Sequence, residues 1–188
     1  MSVTITATIL INDFETLKET TEELGYTLIE EEREIALHES IEYGYPVLIP
    51  GWRYPVVITK SGELKYDNNN GKWGNQELLN NLIQTYTEKK ILKEIKKHAE
   101  QHNMEVIKED GMIILKKNNE TIEIEIEKTG IKIDANGFTG SKCKEEIEKL
   151  NLPIEITSEN KKTEYFQEQK NLLNNQNQNQ NKNEIWIL

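Results

Sequence analysis

The residue types best suited to recognition are concentrated in one segment, residues 51–74, which reads GWRYPVVITKSGELKYDNNNGKWG. Tryptophan and tyrosine present large, rigid surfaces and dominate the energetics of protein interfaces. The Asn/Asp/Gly stretch within the segment is typical of a tight polar loop. Packing of the aromatic side chains inside a β-meander is the alternative interpretation. The residues that we predict to contact a partner in this segment are Trp52, Tyr54, Tyr66, Asp67, Asn69 and Trp73.

Outside this segment, Cys143 is a residue that could do chemistry through its thiol. It follows a glycine-rich turn at the predicted start of a helix, and Lys142 and Lys144 flank it. A helix N-terminus stabilises a thiolate, which makes a reactive thiol one hypothesis. The other is a small side chain that fills a gap between the helix and its sheet. We expect partial burial and a mainly structural role.

A metal site is not predicted, although two patterns suggest one at first sight. Glu94, His98 and His102 share one face of a helix, but Ala99 stands where a metalloprotease motif requires glutamate. We therefore expect exposed histidines near the end of that helix. Residues 67–70 offer oxygen atoms, yet they lack the alternating acids of a calcium loop, and a turn is the better interpretation. No cofactor and no catalytic residue is predicted.

Composition narrows the class of partner. The 188 residues carry a net charge of −10, which disfavours binding to a phosphate backbone, so we expect no nucleic acid. No apolar run approaches the length of a membrane span, and no basic leader begins the chain. A single cysteine excludes an internal disulfide. These features predict a soluble protein of a reducing compartment that does not bind membranes.

The helices and strands that position these residues are predicted from the spacing of apolar residues and from the residues that begin or end helices. Residues 3–11 alternate as a strand, and Asn12-Asp13 then begins a helix that Gly25 ends. Apolar residues at helical spacing predict one long amphipathic helix over 75–102. Short strands are predicted at 26–31, 34–38, 46–49, 54–59, 63–66, 104–107 and 112–115.

A smaller unit is predicted to follow. TIEIEIE at 121–127 alternates strictly, residues 131–135 form the returning strand, and a helix runs over 142–150. Such a ββα unit is marginal alone and should dock on the first domain or on a partner. Another short helix is predicted at 161–173. The fold class is therefore α+β, a mainly antiparallel sheet packed by two helices and followed by a ββα unit. The predicted domains are 1–117, 118–170 and a tail of 171–188.

The tail combines an Asn/Gln-rich stretch with an apolar peptide. Residues 174–183 have no apolar surface to offset the entropy of ordering, so we expect a mobile tether. Trp186 lies within the apolar residues 185–188, which could add a strand to the edge of a sheet. A frayed end without a role is the alternative.

Two resemblances cover most of the chain. Residues 1–117 resemble the family of the conserved chloroplast reading frame number thirty-five, found in algal plastids and cyanobacteria, through GWRYPVVI, YDNNNGKWG and DGMIIL. Residues 119–168 resemble a second small family of unknown function through TIEIEI, GFTGSKC and KTEYF.

These resemblances imply an accessory role rather than a reaction. Neither family supplies a catalytic mechanism, and relatives are encoded near AAA-type ATPases, which implies a protein partner in an ATP-driven assembly. The compartment implied is the cytoplasm or the plastid stroma. The leading hypothesis is a non-enzymatic interaction protein. The alternative is a small thiol or redox protein acting through Cys143.

Overall fold

The computed structural model describes residues 3–109, 111–127, 130–138, 142–152 and 154–161. The tail of 171–188, including Trp186, lies outside these ranges, as does the helix predicted over 161–173 except for its first residue. The helices are α1 (Phe14–Leu24), α2 (Gln76–His102) and α3 (Lys142–Lys149). The strands are β1 (Val3–Ile9), β2 (Thr27–Leu28), β3 (Arg33–Ala36), β4 (Ile41–Leu48), β5 (Val56–Ile58), β6 (Leu64–Lys65), β7 (Glu105–Glu109), β8 (Met112–Lys117), β9 (Glu120–Glu127), β10 (Gly130–Asn136) and β11 (Ile154–Lys161). The predicted α+β class with antiparallel sheets is confirmed.

The larger sheet has six strands in the order β11-β1-β10-β9-β8-β7, and neighbouring strands are antiparallel. Alternate residues of a strand point to the same face, so the isoleucines of β9 and β10 lie on one side. Ile124 and Ile133 face each other in register, and both are fully buried. Helix α2 packs on β7, β8 and β9, and α3 packs on β10.

This sheet runs across the predicted domain boundary at 117/118. Strand β1, from the beginning of the chain, lies between β10 and β11 and pairs with both. The predicted ββα unit is thus joined to the first 117 residues through backbone hydrogen bonds. The division into separate domains at 1–117 and 118–170 stays a prediction. Strand β11 was not predicted because Thr157, Ser158 and Glu159 interrupt the apolar pattern expected of a strand.

The smaller sheet has five strands and includes β5 and β6 from residues 51–74, which we call the recognition segment. Its order is β2-β4-β5-β6, with β3 paired to the first half of β4. Strand β4 begins at Ile41 rather than at 46 as predicted, because its first residues pair with β3. Gly44 permits the close approach of β4 and β5, since a Cβ there would lie 2.2 Å from the Ile58 carbonyl oxygen.

Helix α2 joins the cores under the two sheets. Leu79, Leu82 and Tyr86 belong to the core of the smaller sheet, whereas Ile91 and Ile95 belong to that of the larger one. The Asn75 side chain caps the start of the helix by accepting a hydrogen bond from the backbone of Glu77 at 3.0 Å. The helix therefore positions the recognition segment relative to the larger sheet.

Helix α1 is fixed to α2 at its first turn. Asp13 caps α1 by accepting a hydrogen bond from the Thr16 backbone N–H at 3.1 Å. The Tyr86 hydroxyl accepts the backbone N–H groups of Asn12 at 3.1 Å and of Asp13 at 2.9 Å. Lys90 of α2 lies 2.9 Å from the Asp13 carboxylate. Gly25 ends α1 in the left-handed conformation, with a φ of 69°.

Candidate functional site

The loop 66–73 is held by its own hydrogen bonds. The Asp67 Oδ1 atom accepts the backbone N–H of Asn69 at 3.0 Å, which makes an Asx turn. The backbone N–H of Trp73 donates to the carbonyl of Asn68 at 2.9 Å. Asn69 and Asn70 have φ values of 45° and 53°, a left-handed conformation that asparagine tolerates better than most residues. The asparagines thus shape a loop that aims specific side chains.

The same loop is anchored to α2. The Asn68 side-chain amide donates to Oε1 of Gln76 at 2.6 Å, and Gln76 donates in turn to Asn80 at 3.1 Å. This chain of amides fixes the loop against the first turn of the helix.

Trp52 lies beneath this loop and packs partly on the core of the smaller sheet. Its indole meets the edge of the Tyr66 ring with centroids 5.9 Å apart, and its Nε1 donates to the Asn75 carbonyl at 3.2 Å. Gly74 has no side chain to obstruct the indole, whereas a Cβ there would lie 2.3 Å from it. Trp52 therefore supports Tyr66 and also contributes to the core.

Trp73 is surrounded by three side chains that hold its ring. The Tyr54 ring meets it edge-on at 5.6 Å between centroids, and the His38 ring lies at 4.6 Å. The Arg53 guanidinium lies 5.1 Å from the Trp73 centroid and 5.4 Å from that of Tyr54. The Arg53 backbone N–H also donates to the Trp73 carbonyl at 2.7 Å. The Trp73 ring is therefore held in place by its own neighbours.

An open cavity of about 680 Å³ lies between this loop and the turn that joins β3 to β4. We call it the aromatic cleft. Four of the predicted contact residues line it, together with four from the turn. The lining residues are Leu37, His38, Glu39, Ser40, Tyr66, Asp67, Asn69 and Trp73.

The structure thus places the predicted residues in two groups. Tyr66, Asp67, Asn69 and Trp73 line the aromatic cleft, whereas Trp52 and Tyr54 contact the rings of the first group from outside it. Tyr66 contacts Trp52 and shares the cleft with Trp73, so the two tryptophans belong to one continuous aromatic surface.

The turn 37–40 was not among the residues predicted to contact a partner. Leu37 donates its backbone N–H to the Ser40 carbonyl at 2.8 Å and closes the turn. Nothing in the local sequence connects this turn with Trp73, because only the pairing of β4 with β3 and β5 brings the two segments together.

The cleft carries acidic groups around His38. The His38 Nδ1 atom lies 3.8 Å from a Glu39 carboxylate oxygen and 3.9 Å from Oδ2 of Asp67. These separations exceed hydrogen-bond length. Tyr66 stays 41% exposed although it is aromatic. Among the described residues that line the cleft there is no lysine and no arginine.

Cys143 is fully buried rather than partly buried, with 0% of its surface exposed. It lies in the core of the larger sheet with Ile147 from the next turn of α3. The spacing of four residues puts both side chains on the face of α3 that packs on β10. The position of Cys143 therefore agrees with a structural side chain, and the sulfur is not accessible to a partner in this conformation.

The histidines of α2 differ from the expectation of two exposed side chains. His102 is exposed, but His98 is 5% exposed, and their ring centroids lie 4.3 Å apart. Burial, together with the nearby charge of His102, lowers the pKa of His98. Glu94, the third residue of the pattern, pairs instead with Lys90 at 2.8 Å. Within the described ranges, no group of three or more His, Cys, Asp or Glu side chains is placed to hold a metal ion.

No family model, curated protein or solved structure matches this chain. The resemblance to the chloroplast reading frame family accordingly stays a prediction. In the part of the chain that the structure describes, no helix is both long and apolar enough to cross a membrane.

Proposed function

We propose that this chain is a non-enzymatic accessory protein that binds a protein partner through the aromatic cleft. The observation that carries the proposal is the cleft itself, in which an exposed tyrosine and a half-buried tryptophan meet polar groups of a hydrogen-bonded loop. Aromatic anchors that meet a few positioned polar groups are the usual composition of a binding site.

The preorganisation of the site supports binding. Trp73 is held by His38, Tyr54 and Arg53, and the Asx turn fixes Asp67. Side chains that are already ordered lose little entropy when a partner docks, so more of the contact energy appears as affinity. Tyr66 has the same advantage, because its ring packs against that of Trp52.

The geometry supports binding better than catalysis. The candidate acid–base pairs in the cleft are His38 with Glu39 and His38 with Asp67, and Nδ1 of His38 lies 3.8 Å and 3.9 Å from the respective carboxylate oxygens. A working base and its orienting carboxylate are normally within about 2.6–3.2 Å of each other.

The process served by this binding is proposed from the resemblance alone. The resemblance to the chloroplast reading frame family implies that the partner belongs to an ATP-driven assembly with an AAA-type ATPase, in the cytoplasm or the plastid stroma. The rival proposal, a thiol or redox protein, needs an accessible Cys143, and the complete burial of that residue counts against it.

The proposal is tested by removing the exposed aromatic anchor. Tyr66→Ala should abolish recovery of a partner when the tagged full chain is purified from its native host. Tyr43→Ala is the matched control, because Tyr43 is 57% exposed and does not line the cleft. With the partner purified, Tyr66→Ala should weaken binding by about 2 kcal/mol, or roughly 30-fold. Equal recovery by wild type and Tyr66→Ala would contradict the proposal.

A further inference from the structure

We propose that the aromatic cleft recognises a cationic side chain, lysine or arginine, presented by an extended segment of the partner. This inference rests on the proposed function, since it names the chemistry of the same site. It is carried by the charges, the aromatic faces and the orientation of one carboxylate.

The charge distribution favours a cation. Two carboxylic acids, Glu39 and Asp67, line the cleft together with the imidazole of His38 and the phenol of Tyr66. Glu39 is exposed at the rim, whereas Asp67 is half-buried beside the aromatic rings. A carboxylate that is partly removed from water attracts a cation more strongly than an exposed one, because the surrounding dielectric is lower. An anionic ligand would meet repulsion from both acids.

The orientation of Asp67 leaves one oxygen for a ligand. Its Oδ1 atom is engaged by the backbone N–H of Asn69 at 3.0 Å. Its Oδ2 atom points towards His38 but remains 3.9 Å from Nδ1. A carboxylate oxygen in this position can accept a charge-assisted hydrogen bond from an ammonium or a guanidinium group.

The aromatic rings suit the same ligand. The faces of tryptophan and tyrosine attract cations placed within about 6 Å of the ring centroid. The Arg53 guanidinium already occupies the Trp73 ring in this way, 5.1 Å from its centroid, so the aromatic ring proposed for an incoming cation is that of Tyr66. Tyr66, 41% exposed across the cleft, offers its ring to a cation from outside.

The cleft has room for more than one isolated side chain. Its volume of about 680 Å³ falls within the range of ligand pockets, about 300–1,000 Å³. Asn69 and Ser40 add amide and hydroxyl groups that can bond to the backbone of an extended peptide.

The test titrates the ¹⁵N-labelled full chain with three short capped peptides that differ only in arginine, glutamine or glutamate at two positions. The arginine peptide should give saturable shifts of the Asn69 amide and the Trp73 indole N–H. Asp67→Asn should weaken that binding at least about fivefold. Glu34→Gln is the charge-matched control, because Glu34 is exposed on β3 and does not line the cleft. It should change the affinity less than about twofold.

Three results would overturn the inference. They are absence of saturable shifts with the arginine peptide into the low millimolar range, equal binding of the glutamine peptide, and equal effects of Asp67→Asn and Glu34→Gln. If Tyr66→Ala still loses the purified partner in any of these cases, the proposed function stands and only the cationic chemistry fails. If Tyr66→Ala also retains the partner, both fail. A confirmed inference further requires that binding weaken as salt is raised.

Discussion

The two sheets of this protein differ in the length of their strands and in what their connecting loops do. The larger sheet consists mostly of strands of five to eight residues with isoleucines buried at alternate positions. The smaller sheet consists of strands of two to four residues, except for β4, and its connecting loops line the aromatic cleft. Long regular strands bury apolar surface efficiently, whereas loops between short strands can present side chains to a ligand.

Helix α2 makes the two regions depend on each other. Its first half packs under the cleft-bearing sheet, and its second half packs under the larger sheet. Loss of either sheet would expose the apolar side chains of the half of α2 that packs under it, and the two halves belong to one continuous helix. We therefore expect the two regions to unfold together.

The largest effect should come from the core of the larger sheet. Ile133→Ala removes a side chain that is 0% exposed and faces Ile124, and it should cost about 2–5 kcal/mol of unfolding free energy. Urea denaturation should show the same lowered midpoint by far-UV circular dichroism and by the near-UV signal of the aromatic residues. A near-UV transition left at its wild-type midpoint would separate the two regions. Ile133→Val, which should cost about 0.5–1.5 kcal/mol, provides a milder variant if alanine does not fold.

A smaller loss is expected from a change inside the smaller sheet. Gly44→Ala places a Cβ 2.2 Å from the Ile58 carbonyl oxygen, so β4 and β5 must separate. Overpacking of this kind costs about 1–3 kcal/mol. Urea denaturation measures the loss, and Tyr43→Ala, at the adjacent exposed position, should change stability by less than about 0.5 kcal/mol. An unaltered midpoint in Gly44→Ala would show that the close contact relaxes without cost.

The smallest effect is electrostatic and lies at the junction of α1 and α2. Burial alone would raise the pKa of Asp13, but hydrogen bonds from Lys90 and from the Thr16 backbone, with the charges of Lys90 and Lys93, lower it to about 2. Because the folded pKa is below the unfolded value of about 3.9, this carboxylate stabilises the fold above that pH. The stabilisation is lost as the pH falls through about 2.

Asp13→Asn should remove about 1–2 kcal/mol at neutral pH and progressively less as the pH approaches 2, because both proteins then carry a neutral side chain. Urea denaturation of the two proteins between pH 7 and pH 2 measures the difference. Asparagine can still accept the capping hydrogen bond, so a difference that does not depend on pH would mean that the charge of Asp13 does not supply the stability.

Much of the local structure was predictable because its signals are local. The predicted helices at 13–24 and 75–102 differ from α1 and α2 by one residue at most, since Asp13, Gly25 and Asn75 mark helix ends by their own side-chain or backbone chemistry. The alternation of TIEIEIE likewise predicted β9. The aromatic and asparagine content of 51–74 pointed to the loop that now lines the cleft.

The predictions that differ from the structure concern features that depend on residues distant in the sequence. Cys143 is more deeply buried than expected because α3 packs on β10, and His98 of α2 lies beside Glu146 and Lys149 of the same helix α3. The position of β1 between β10 and β11 joins residues more than 120 positions apart. The turn 37–40 enters the cleft through strand pairing alone.

The sequence by itself determined the three described helices, most of the described strands, the acidic charge and the aromatic and asparagine content of residues 51–74. These properties follow from backbone capping, from the periodicity of apolar side chains and from composition, all of which act within a few neighbouring residues. Only the tertiary structure decided which recognition residues share a cleft, that His38 and Glu39 join them, and that Cys143 is enclosed. The physical reason is that strand order and helix packing are set by burial summed over the whole chain, and short-range patterns do not specify that sum.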